Sequence, residues 1–188
     1  KSNLYDEAIG YISILSNTIN AKYLPMIYEL INSDNSKIMF FKQLYRMILK
    51  LQDNSELLLV YNKIIDSKKD EKFMQNYKNI YQDFLRQEIL HSFSSFHLQD
   101  EKIILNNVVN NIIKYFPNMI TLEMFSKIMR NFFVQLDFRS KQKFKIFKKF
   151  KDFYTSNYPE FNNAYLNLFE NPSITQAIKN TDFDVKSF

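Results

Sequence analysis

Glu88 and His91 stand three residues apart in the run Glu-Ile-Leu-His. On a helix that spacing puts a carboxylate and an imidazole on one face, the pairing from which helical bundles build di-metal centres. Such a centre needs a second pair and two further glutamates. The other histidine, His97, has Ser94 three residues before it, so the second pair is missing. Glu88 and His91 therefore read as ordinary residues near a helix end, and no metal or cofactor is expected. A hydrolytic triad would have to recruit His91 or His97 with a serine, and no local signature marks one. The acid pairs Asp70/Glu71 and Asp100/Glu101 fall at expected helix starts, where carboxylates complement the helix dipole.

Composition excludes more chemistry. The chain has one glycine, Gly10, inside a helical pattern. Phosphate-cradling loops and the strained turn that exposes a nucleophilic serine need several glycines. With no cysteine there is no disulfide, thiolate metal site or thiol nucleophile. That fits a reducing compartment, and an intracellular setting, cytoplasmic or nuclear, is the expectation. No apolar run is long enough to span a bilayer. The opening KSNLYDEA lacks an initiator methionine and reads as an excised or processed piece. The abundance of Asn, Ile, Lys, Phe and Tyr over Ala and Gly reads as an A+T-rich coding bias.

One segment stands out by charge. FRSKQKFKIFKKFKDFY, residues 138–154, carries Arg139, Lys141, Lys143, Lys145, Lys148, Lys149 and Lys151 against Asp152 alone. Its net charge of +6 exceeds the +5 of the whole chain, so the remainder sums to −1. The basic pI of about 9.1 is thus a local property. On a helical wheel Ile146, Phe147, Phe150, Phe153 and Tyr154 form one arc, and Lys141, Lys145, Lys148 and Lys149 the opposite one. Lys143 and Lys151 fall at the boundary, where their stems can cover apolar surface.

The elements that would position this segment are helices. Apolar residues recur at steps of three and four almost throughout. The pattern predicts about ten helices, near 3–18, 25–31, 36–51, 54–65, 69–93, 101–116, 121–136, 139–155, 159–169 and 172–180. Met39, Phe40, Leu44, Met47, Ile48 and Leu51 share one face of the third, and the fifth carries Phe73, Tyr77, Ile80, Phe84, Ile89 and Phe93. In the sixth, Ile104, Leu105, Val108, Val109 and Ile112 face one way, and Asn106, Asn107, Asn110, Asn111 and Lys114 the other. Asp53, Asp100, Thr121 and Asn171 read as N-caps, and all four prolines lie at element ends. The expected architecture is all-α: an irregular antiparallel helical bundle, or a short α-solenoid like HEAT and armadillo repeats. No linker composition divides the chain, so residues 1–180 read as one domain and 181–188 as a tail.

These features point to a non-catalytic interaction module that docks protein partners on its helix faces. Arg139, Lys141, Lys145, Lys148 and Lys149 would steer an acidic protein surface. The rival reading is contact with RNA or DNA phosphates, although no recognised reader motif is present. A helical enzyme or effector domain is the third reading. A bare solubility role for the basic face and an anionic membrane surface complete the range. The membrane reading requires the apolar arc to be exposed.

Overall fold

The helical period is realised in the protein, for which a computed structural model describes residues 23–52, 55–66, 71–94, 101–134, 141–179 and 188. Nine α-helices and no strand occur among these residues: α1 (Leu24–Glu29), α2 (Asp34–Lys50), α3 (Ser55–Ile65), α4 (Glu71–Ser94), α5 (Glu101–Tyr115), α6 (Leu122–Val134), α7 (Lys141–Asn157), α8 (Pro159–Asn167) and α9 (Pro172–Lys179). Single 3-10 turns at Pro117–Met119 and Leu168–Glu170 join α5 to α6 and α8 to α9. The helix expected at 3–18, the Asp53 and Asp100 caps, Arg139, His97 and tail residues 181–187 lie outside the described residues.

Local chemistry explains the helix starts. Ser33 accepts a hydrogen bond from the Ser36 amide at 3.1 Å, which begins α2 two residues earlier than apolar spacing suggests. Thr121 caps α6 through the Met124 amide at 3.2 Å, and Asn171 receives the Ser173 amide at 3.0 Å ahead of α9. Prolines occupy the first turns of α1 and α8, where the missing N–H leaves no helical bond unmade.

The chain divides into two compact units, Lys1–Glu88 and Ile89–Phe188. In the first, α3 packs on α1 and α2. Its core is aromatic: Phe41 lies 5.4 Å from Tyr28 and 5.3 Å from Tyr81, ring to ring, and is fully buried. Met39, grouped by spacing with Phe40 and Leu44, is 47% exposed instead, and Ile80 of α4 is 42% exposed. At 100° per residue each lies on the side of its helix away from the buried residues, which are Phe41, Leu44, Tyr45 and Ile48 on α2 and Tyr81, Leu85 and Ile89 on α4.

In the second unit α5 packs on α7, α7 on α8, and α6 on α8 and α9. Phe132 stacks on Phe147 at 4.3 Å, and Phe150 contacts Phe93 at 4.9 Å. Phe188 is buried and stacks on Phe132 at 5.0 Å. Asn111, assigned to the polar face of α5 by pattern, is buried. It lies beside the apolar arc, while Asn106 and Asn110 remain half-exposed. Among the described residues no helix is long and apolar enough to cross a membrane.

Candidate functional site

The basic helix α7 ends two residues later than its sequence pattern implies, and its apolar face is a core face. Ile146, Phe147, Phe150 and Tyr154 are all buried in the second unit. The Tyr154 hydroxyl donates to the Pro117 carbonyl at 2.9 Å, tying the last turns of α7 to the end of α5.

The fold sorts the lysines into different roles. Lys143, placed at the boundary by pattern, is buried at 5% exposure. Lys148 donates to Asp152 Oδ2 at 2.8 Å and to the Phe188 carbonyl at 3.1 Å. Lys151 reaches Asp152 Oδ1 at 2.6 Å and lies over the rings of Tyr165 and Phe188. Partial burial pushes the Asp152 carboxyl up, but the hydrogen bonds and charges of Lys148 and Lys151 outweigh it, and the net shift is downward. Lys149 donates to Asn110 Oδ1 on α5 at 2.6 Å. Lys141 and Lys145 are exposed and make no ion pair among the described residues. The basic surface is therefore smaller than the sequence count: Lys141 and Lys145, flanked by Lys149 and half-neutralised Lys148.

Those lysines sit against the local electrostatics. The N-terminal end of a helix carries partial positive charge and favours acids. Asp34, Glu56, Glu71, Glu123 and Glu160 occupy first turns of α2, α3, α4, α6 and α8. The first turn of α7 has no acid and opens on Lys141 and Lys143. Lys141 there loses stability relative to an acid, by about 0.3–1 kcal/mol. The first turns of α1 and α9 likewise carry no acid.

The Glu88 carboxylate is already engaged. Its Oε1 receives Arg46 at 2.7 Å and its Oε2 lies 3.5 Å from Lys50. Arg46 and Lys42 also lie over the Phe84 ring, at 5.0 and 5.2 Å. Burial pushes the Glu88 carboxyl up, yet the Arg46 hydrogen bond and the charges of Arg46 and Lys50 hold it below its ordinary value. Two cations on its oxygens make Glu88 an anchor between α2 and α4. Neither cation was foreseeable, since Arg46 lies 42 residues away. His91 is exposed on the next turn. Ser94 spends its hydroxyl on the Leu90 and His91 carbonyls, at 2.7 and 3.1 Å. Among the described residues no cluster of three His, Asp or Glu side chains could hold a metal ion.

Two buried tyrosines of the first unit, Tyr45 and Tyr81, are held in the neutral phenol form. Tyr45 and Tyr61 share a hydroxyl–hydroxyl hydrogen bond of 3.0 Å. Burial, with the neighbouring tyrosines, pushes the Tyr45 phenol far up, and burial does the same to Tyr81.

No protein-family model matches the chain, and no curated protein or solved structure matches it either.

Proposed function

We propose that this chain is a non-catalytic helical docking module that uses the basic face of α7 to bind an acidic protein partner. The observation that carries this reading is Lys141: an exposed cation at a helix N-terminus, followed one turn later by exposed Lys145. A bound anion complements both charges, which meet no acid among the described residues, and offsets the unfavourable dipole. The buried apolar face of α7 leaves nothing to insert into a lipid surface, which weighs against the membrane reading.

The experiment is fluorescence anisotropy with a labelled acidic peptide and with labelled RNA and DNA duplexes, titrated from about 50 to 200 mM salt. Saturable peptide binding that Lys141→Glu plus Lys145→Glu abolishes supports the reading. Duplex binding that is tighter than peptide binding and collapses steeply with salt replaces it with phosphate-backbone recognition.

A further inference from the structure

We infer that the docking surface is a two-helix ladder formed by α5 and α7 together, and that its partner is an acidic amphipathic helix. The inference rests on the docking reading above and specifies its surface and partner.

Two contacts set the geometry. Lys149 meets Asn110 at 2.6 Å, and further along both helices Tyr154 meets Pro117 at 2.9 Å. Residue numbers rise together on the two helices, so α5 and α7 run parallel. Stepping back one turn on each places Asn106 level with Lys145, and another turn places Lys102 level with Lys141. Successive rungs are four residues apart, or about 6 Å. Each pairs a lysine of α7 with a lysine of α5 or with an asparagine, whose amide nitrogen can donate outward while its oxygen accepts from the lysine, as Asn110 does from Lys149.

Among the described residues of the face the charges up to Asp152 have one sign. No acid occurs in residues 102–115 or 141–151. Asp152 ends the ladder on α7, and exposed Lys114 extends the basic character on α5. Beside the first rung an apolar spot breaks the polar surface: Ile103 is 64% exposed and Ile104 39%. A flat charged patch steers a partner, but affinity comes from an apolar anchor set among such charges.

These features select the partner. An α-helix with carboxylates at i, i+4 and i+8 repeats every 6 Å or so, matching the rungs, and offers an apolar side chain on the same face for Ile103. Nucleic acid fits less well. The ladder's charges are lysines, point donors without the fork that grips phosphate in two places. Its nearest aromatics are occupied: Tyr115 lies 4.8 Å beneath Lys114, and Phe144 packs on Phe188 at 4.9 Å.

The test uses a helix-stapled peptide with glutamates at i, i+4 and i+8 and one leucine, a scrambled peptide of equal composition, and duplex RNA. Affinities are measured for the wild type and for Lys145→Glu, Asn106→Asp and Ile103→Ser, after circular dichroism confirms each fold. The expected result is that the ordered peptide binds better than its scramble. Lys145→Glu and Asn106→Asp each weaken it about tenfold or more, because each sets a carboxylate against a carboxylate. Ile103→Ser weakens it several-fold through the lost anchor. If Lys145→Glu alone matters, the ladder is wrong while docking on α7 stands. If the scramble binds equally well, the helical partner is wrong. If duplex RNA outcompetes the peptide, the docking reading falls with the inference built on it.

Discussion

The Tyr154 hydroxyl donates to the Pro117 carbonyl across 37 residues of sequence, at 2.9 Å. It is the polar tip of a ring otherwise buried against Phe125, Phe150 and Phe161. Tyr154→Phe keeps the ring and removes the donor. The expected loss is about 0.5–1.5 kcal/mol in denaturant unfolding, with helix content unchanged. A neutral result would mean that water serves the Pro117 carbonyl equally well.

Phe150 tests the core beneath the basic face. It is fully buried between Phe93, Phe125 and Tyr154. Phe150→Ala leaves a cavity under α7 and is expected to destabilise the chain by about 3–5 kcal/mol, measured by urea titration. A loss under about 1 kcal/mol would show that α7 does not seal the second unit's core in solution.

Glu88 gives the stability a defined pH dependence. Its carboxyl sits below the ordinary value of 4.5 when folded, so the folded state binds fewer protons than the unfolded one in acid. Its contribution is complete above that ordinary value and is lost as pH falls through the folded one. Asp152 behaves the same way below its ordinary 3.8. Thermal melts from pH 7 down to pH 3 are expected to stay level at first and then decline below about pH 4.5. Glu88→Gln costs about 1–2 kcal/mol at neutral pH, a figure reduced for the partial exposure of Arg46, and flattens the acid decline. An unchanged acid slope in that variant would place the titrating group elsewhere.

Much of the architecture is legible in the sequence because helices are local. Thr121, Asn171 and the prolines mark helix starts by chemistry that acts over three or four residues. Apolar spacing separates the faces of α7 correctly for Ile146, Phe147, Phe150 and Tyr154. It fails for Asn111 and for Met39. Asn111 lies where the rotation of α5 decides between core and solvent, and that rotation is set by neighbours far along the chain, while Met39 lies away from the buried side of α2 although its spacing groups it with Phe40 and Leu44. The border between the two units falls inside α4, a continuous helix, so no linker composition announces it. The candidate surface is half legible. The charge cluster is plain, but its sorting into exposed Lys141 and Lys145, paired Lys148 and Lys151, and Lys149 on Asn110 depends on long-range packing. Nothing in the run around Asn110 signals that it meets a lysine 39 residues away.

The central claim is that Lys141 is kept for binding at the expense of stability, and one variant tests both halves. Lys141→Glu is to be melted and then titrated with the acidic peptide at low salt. The account predicts that the melting temperature rises, by about 1–3 °C for an acid restored to a helix first turn, while peptide affinity falls. A variant that is no more stable and binds the peptide as well as the wild type would contradict it, leaving the basic face of α7 as solvated surface.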